Sequence, residues 1–152
     1  SLRLELAEGY LRAGNILGNF TEDNLGELAK AKEAFAKGDE LVRGLEGDRA
    51  RWARVNLKLA RTLSEYGSAT GKGFAGRVEE IVREMEALVR PGAKDAGQYL
   101  KLGQAYMSLA KVNQSTGQGL SIEDLSEGWT QKARETLERG LGVDPEHAGI
   151  LA

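Results

Sequence analysis

The chain has 152 residues, of which 41% are hydrophobic and 29% are charged, and its formal net charge is -2 at pH 7. This length fits one domain with a substantial core. The charge predicts no attraction to nucleic acid or to an anionic membrane surface. The absence of cysteine excludes disulfides, thiol catalysis and thiolate metal sites. No apolar run is long enough to span a bilayer, and the amphipathic start predicts a piece of a longer protein.

Hydrophobic residues recur at steps of three and four along most of the chain, which is the spacing of amphipathic helices. The pattern predicts six helices, over residues 2–19, 25–46, 49–66, 74–90, 95–113 and from 122 to the residue before Pro145. Thr21, Asp23 or Asn24 is expected to cap the second helix, and Ser121 opens a capping box before the sixth. No sustained alternation of polar and apolar residues predicts a strand.

Twenty glycines need an explanation in a helical chain, because a glycine inside a helix costs roughly 1 kcal/mol relative to alanine. Several lie where paired helices would touch, so that small side chains let two backbones approach. The small residues at these positions are Gly14, Ala31, Gly38, Ala60, Gly103, Ala133 and Gly140. The spacing of Gly14, Ala60 and Gly103 indicates an internal repeat. Gly9, Gly44 and Gly97 have no explanation of this kind.

These residues resemble the tetratricopeptide repeat, in which helix A carries an aromatic residue, a small pair and a bulky residue, and helix B alternates small and bulky residues. The first repeat offers Tyr10, Ala13, Gly14, Leu17, Ala31, Phe35 and Gly38, and the third offers Tyr99, Leu102, Gly103, Tyr106, Ala133, Leu137, Gly140 and Pro145. The second, with Asn56, Leu59, Ala60, Leu63, Val78, Val82 and Met85, is degenerate.

The resemblance implies an all-α fold of three stacked antiparallel helical hairpins that form a right-handed superhelix. The repeats would span residues 2–47, 49–91 and 93–145, within a single domain over 1–152. Residues 146–152 would be a C-terminal cap or the start of a further helix. Each repeat is longer than the usual period of about 34 residues, so long insertions between its two helices are expected.

A narrower resemblance concerns the polar break at residues 18–26, which contains Gly18-Asn19 and Asn24-Leu25-Gly26. This break is similar to one in the repeats that follow the kinase domain of bacterial serine/threonine protein kinases, with Glu27 in place of Asp. The closing segment 129–141 resembles the last helix of the same proteins. The resemblance implies a regulatory or sensory region of a larger kinase. Its compartment stays open, either cytoplasmic or extracytoplasmic if the kinase is membrane-anchored.

The resemblance also implies a binding surface, since helix A of such repeats lines a concave groove. The outward positions in this chain are Asn15, Asn19, Arg54, Arg61, Glu65, Gln104, Met107 and Ser108. Asparagine and arginine there suit a peptide backbone or carboxylate, so a protein or peptide is the expected partner. Repeats that clamp acidic C-terminal peptides carry lysine after the first aromatic residue, and Leu11 at that position argues against this peptide class. The alternative is a polar face of no particular function.

No residue set indicates catalysis or a cofactor, so the chain is predicted not to be an enzyme. The segment 67–73, GSATGKG, lacks the spacing and the preceding strand of a phosphate-binding loop. His147 is the only histidine, which leaves no second imidazole for a metal site. Glu79, Glu80, Glu84 and Glu86 interleave with arginines, as on a solvated, salt-bridged helix face.

The aromatic residues have two interpretations. Most lie at core spacing, which favours packing over a ligand cage, and Tyr66 and Trp129 at helix ends are the exceptions. The chain as a whole also has two functional interpretations. Binding of a protein or peptide is the first, and self-association into a homodimer, through the last hairpin or the inserted loops, is the alternative.

Overall fold

The computed structural model describes residues 1–18, 24–66, 73–89, 92–115, 122–147 and 150. These residues form six α-helices and no β-strand, which confirms the predicted all-α class. The helices are α1 (Leu2–Gly18), α2 (Leu28–Val42), α3 (Asp48–Leu63), α4 (Phe74–Leu88), α5 (Ala96–Ser115) and α6 (Ile122–Val143). Helix α2, predicted over 25–46, is shorter at both ends.

The two ends of α2 differ from prediction because contacts from outside the helix set them. Asn24 does not cap α2: its Oδ1 accepts a hydrogen bond from the Gly26 backbone N–H at 2.8 Å, and the residue before the helix is Glu27. At the other end, Arg54 Nη1 donates to the carbonyls of Val42 and Leu45, at 3.2 and 2.7 Å. The other predicted capping residues, Thr21, Asp23 and Ser121, lie outside the described residues.

The chain divides into two compact units, Ser1–Ile81 and Val82–Ala152. In the first unit, α1 packs against α2, and α3 packs on both helices. A Cβ atom added to Gly14 would lie less than 3.0 Å from three ring atoms of Phe35, and one added to Gly18 would lie 3.0 Å from Ala31 Cβ. Gly18, which is later in α1 than Gly14, thus faces Ala31, which is earlier in α2 than Phe35. The two helices therefore form an antiparallel hairpin.

The core of the first unit combines small residues with a few bulky ones. Gly38 continues the close packing toward α3, since an added Cβ atom would lie 2.7 Å from Leu57 Cδ2. Alanines in the core let the backbones approach closely, and Phe35 and Leu57 fill the remaining space. The buried cluster consists of Leu4, Ala7, Ala31, Phe35, Val42, Ala50, Ala53, Leu57 and Ala60.

The second unit is built on an antiparallel pair of the same kind, α5 and α6. A Cβ atom added to Gly103 would lie 2.8 Å from Leu137 Cδ2, and one added to Gly140 would lie 3.0 Å from Tyr99 Cβ. Two of the three predicted hairpins therefore have small residues at their helix contacts. Helix α4 starts in the first unit, where the Phe74 ring lies 6.0 Å from the ring of Tyr66 after α3.

Two of the three unexplained glycines have local reasons. Gly44 follows α2 with φ +77°, a conformation that disfavours residues with a Cβ atom. The backbone N–H of Gly97 donates to Asp95 Oδ1 at 2.9 Å at the start of α5, and an added Cβ atom at Gly97 would lie only 3.0 Å from the same oxygen. Gly9 has no such reason, because its added Cβ atom would meet only Arg12 Nη2, at 3.9 Å.

Candidate functional site

The predicted groove positions in the first unit carry side chains that already contact other residues. The Arg54 guanidinium is bound to the end of α2, as described above. Exposed Arg61 pairs with Asp39, and exposed Glu65 lies 3.5 Å from Arg77 Nη1. Asn15 is buried within the unit, and Asn19 lies outside the described residues. Of the described members of this set, Arg61 and Glu65 are the exposed ones.

The groove positions in the second unit lie on one face of α5. Ser108 is buried, and its Oγ donates to the Gln104 backbone carbonyl at 3.0 Å. Gln104 is half-buried, and its Oε1 has no hydrogen-bond partner among the described residues. Met107 is exposed. This face therefore presents the apolar side chain of Met107 to solvent, whereas the amide oxygen of Gln104 is buried.

The second unit also contains an open cavity of about 500 Å³, which the sequence did not predict. It lies among the end of α4 and one face each of α5 and α6. None of the predicted groove residues lines it. The lining residues are Glu86, Val89, Gly92, Tyr99, Leu102, Tyr106, Lys132, Glu135, Thr136 and Arg139.

One wall of the cavity is fixed by a hydrogen bond between α5 and α4. The Tyr106 hydroxyl donates to Glu86 Oε2 at 2.6 Å. Burial raises the pKa of Tyr106 well above its usual value, and the hydrogen bond and negative charge of Glu86 raise this pKa further. The phenol therefore stays protonated at neutral pH and holds the Glu86 carboxylate at the cavity wall.

An aromatic and cationic cluster adjoins this wall. The Tyr106 and Trp129 rings are stacked, with centroids 5.9 Å apart and an interplanar angle of 18°. Lys132 Nζ lies 5.7 Å from the Tyr106 centroid and 5.1 Å from that of Trp129, and Arg83 Cζ lies 5.5 Å from the Trp129 centroid. These cation–π contacts orient the cations without neutralising them. Trp129 lies within α6 rather than at a helix end, and its ring packs on that of Tyr106 beside the cavity.

Cationic groups on α6 are available to a ligand. Within the described part of the chain, neither Lys132 nor Arg139 forms an ion pair. Thr136 lies between them on the same helix face. Glu135, also on the wall, accepts a hydrogen bond from Gln131 Nε2 at 3.1 Å. The cavity is thus lined by two cationic side chains without an ion pair, two carboxylates and two tyrosine rings.

No single motif indicated this cavity, because its lining residues come from three helices. Tyr99 and Tyr106 were predicted as core residues, and both are buried. A detectable signal was present in α6, where Lys132, Thr136 and Arg139 follow each other at steps of four and three. This polar stripe on α6 indicates a cavity only when it is known to face the two tyrosines of α5. The sequence alone does not show that α5 and α6 are neighbours.

Metal sites and membrane-spanning helices are both absent from the described residues. No three His, Asp or Glu side chains among them lie close enough together to hold a metal ion. The helices of the described ranges are too short or too polar to span a bilayer. Comparison of the chain with protein-family models, with curated proteins and with solved structures gives no match.

Proposed function

We propose that the chain is a recognition module without catalytic activity, which binds a protein or peptide segment. We further propose that it is a tetratricopeptide-like array of three hairpins and the regulatory region of a bacterial serine/threonine kinase. Close contacts at the positions that carry the resemblance support the array, namely Gly14 against Phe35 and Gly103 against Leu137. In this proposal the regulated kinase domain lies elsewhere in the parent protein.

The cavity of the second unit is the observation that carries the proposal of binding. Its volume of about 500 Å³ lies within the range of sites that enclose a small ligand or one or two side chains. Tyr99 and Leu102 supply apolar surface, and Lys132 and Arg139 supply free positive charge. This combination suits a peptide segment with a bulky apolar side chain next to a carboxylate.

Each of the two units also exposes groove residues of its own. Arg61 and Glu65 present charge on α3 and the turn after it, and Met107 presents an apolar side chain on α5. Asn15 and Ser108 are buried, so we assign them to packing rather than to direct contact. Arg54 is likewise assigned to holding the end of α2, because its guanidinium is already bonded to two carbonyls.

Selection of peptides on the whole chain tests this proposal. Peptides enriched from a random library displayed on phage would be synthesised, and their dissociation constants measured by calorimetry. We expect Arg139→Ala and Lys132→Ala each to weaken binding about tenfold, because a charge-assisted hydrogen bond contributes roughly 1.5 kcal/mol or more. Arg134→Ala is the matched control, since Arg134 is exposed on α6 and does not line the cavity.

Two results would contradict the proposal in different ways. Failure to enrich any peptide would argue against binding of short segments. Enriched peptides that bind the Arg139→Ala variant and the wild-type chain equally would remove the cavity as the site, and loss of binding in Arg61→Glu would then place it on α3. The kinase assignment is tested separately by the coding sequence upstream of Ser1, where we expect a kinase domain.

Self-association remains the second candidate function, because one observation favours it. Helix α1 exposes a continuous apolar stripe on the face opposite the core. Leu2, Leu6 and Ile16 are its large members, and all three are exposed.

A further inference from the structure

Helix α1 is apolar on two opposite faces. Leu4, Ala7 and Gly14 lie on the buried face. On the other face, Leu2 is 72% exposed, and Ile16 is 60% exposed. The complete outer stripe consists of Leu2, Leu6, Gly9, Ala13 and Ile16. At 3.6 residues per turn these five positions fall within about 80° of the helix circumference.

The spacing of this outer stripe is that of a two-helix seam. Its residues follow each other at alternating steps of four and three, the repeat that lets two helices stay in contact along their length. A helix that faces water carries polar residues at such positions, and a contiguous exposed apolar patch marks an interaction surface. Gly9 and Ala13 in the middle let a second helix approach closely.

The charged residues beside the stripe, Glu5 and Arg12, favour a second copy of the chain as the partner. Glu5 and Arg12 lie seven residues apart, on the same side of the stripe, and both are exposed. Among the described residues neither forms an ion pair within 4 Å, although Arg49, which is paired with Glu8 at 2.7 Å, also attracts the Glu5 carboxylate. A helix that runs antiparallel to α1 and has the same sequence brings its Arg12 to Glu5 and its Glu5 to Arg12. The surface is therefore complementary in charge to itself.

The side-chain sizes are complementary in the same arrangement. With two copies antiparallel, Leu6 of one copy lies opposite Gly9 of the other, and Leu2 lies opposite Ala13. Each of these layers then combines one large and one small side chain, as close helix packing requires, and Ile16 lies beyond the last layer. The two-fold axis repeats every contact, which is the property of an isologous dimer interface.

We propose that α1 is a self-association surface, through which two copies of the chain pair their first helices antiparallel along this outer stripe. The proposal uses residues on α1 alone and does not depend on the cavity of the second unit. It deepens the second candidate function by naming the surface and the occupant. Loss of peptide binding leaves it unchanged, and the absence of a dimer leaves the peptide proposal unchanged.

Sedimentation equilibrium of the whole chain over a wide concentration range tests for the dimer. We expect a reversible monomer–dimer equilibrium, and a dissociation constant at least tenfold higher for Leu6→Glu, because a charge then lies inside the seam. Met107→Glu is the control, since Met107 is 42% exposed, close to the 47% of Leu6, and lies on α5. Circular dichroism checks that both variants retain their helix content. A strictly monomeric chain, or a dimer that Leu6→Glu leaves unchanged, would overturn the proposal.

A charge exchange tests whether the occupant is a second copy. Glu5→Arg alone and Arg12→Glu alone each replace two attractive contacts with two repulsive ones, and we expect each to raise the dissociation constant at least ~3-fold at low salt. The double variant restores both pairs and should return to the wild-type value. A double variant as weak as the single ones would refute the reciprocal pairing.

Cysteine pairs test the direction of the helices, because the chain has no cysteine of its own. A mixture of Leu2→Cys and Ala13→Cys chains should form the mixed disulfide under mild oxidation. Neither variant should crosslink with itself, since the two identical positions lie about 16 Å apart along an antiparallel pair. Crosslinking of Leu2→Cys with itself would show a parallel pair and contradict the assigned geometry.

Discussion

Replacement of Gly14 and Gly9 by alanine separates close packing from helix propensity within one helix. Alanine at either position should stabilise α1 by about 1 kcal/mol, because glycine is the poorer helix former. At Gly14 the new methyl group meets three ring atoms of buried Phe35 at less than 3.0 Å. Overpacking of a rigid core costs about 1–3 kcal/mol, and an aromatic ring has little room to yield. We therefore expect an overpacking cost at the upper end of this range, about 3 kcal/mol, so that Gly14→Ala lowers stability by about 2 kcal/mol after the gain in helix propensity.

Gly9→Ala should raise the free energy of unfolding by about 1 kcal/mol, because only the end of Arg12 lies near the new methyl group. The two variants thus differ by about 3 kcal/mol. Urea unfolding followed by circular dichroism gives both values, at concentrations where sedimentation shows monomers, since Gly9 belongs to the outer stripe. The contact with Phe35 is checked by adding Gly14→Ala to Phe35→Leu, where its cost should fall. Equal stabilisation by the two alanines would refute the close contact.

Two further predictions concern single side chains. Arg54→Ala removes two hydrogen bonds to carbonyls at the end of α2 and should cost about 1–2 kcal/mol in urea unfolding, whereas Arg51→Ala should change stability by less than about 0.5 kcal/mol, because Arg51 has only an exposed ion pair. Tyr106→Phe should cost about 1.5 kcal/mol at neutral pH by removing the hydrogen bond to Glu86. The pKa of Tyr106 is raised in the folded chain, so its contribution is complete below about pH 10 and is lost as the pH rises toward the folded pKa. The stability of Tyr106→Phe should therefore fall less steeply at alkaline pH, and equal alkaline slopes would contradict the assigned pKa shift.

The helices were predictable because their hydrophobic residues recur at steps of three and four, a signal that each segment carries by itself. The ends of α2 were not, because Arg54 from α3 and backbone N–H groups before the helix set them. The roles of Gly14 and Gly103 were predictable from a pattern of small residues repeated along the chain. Gly38 illustrates the limit, since its closest side-chain neighbour is Leu57 of α3.

The cavity and the outer stripe show the same distinction between local and distant information. The hydrogen bond between Tyr106 and Glu86 joins residues far apart in the sequence, and no periodicity within α4 or α5 indicates it. All residues of the outer stripe of α1 belong to one short segment, but the sequence alone does not show which apolar face of that helix is buried. Burial of Leu4 and exposure of Leu2 decide that question.

The segment Asn24–Glu27 includes the end of the polar break at residues 18–26 and is hydrogen-bonded to the last turn of α1. The backbone N–H groups of Leu25 and Glu27 donate to the carbonyls of Ile16 and Leu17, at 3.0 and 2.8 Å, which satisfies free carbonyls in the last turn of α1. Gly26, with φ +72°, lets the chain turn between these two bonds. Hydrogen bonding within the hairpin thus gives these residues a role without a ligand. The same bonds place the backbone of Leu25, whose side chain is 69% exposed, beside the backbone of Ile16, so this segment completes the hydrogen bonding of the last turn of α1.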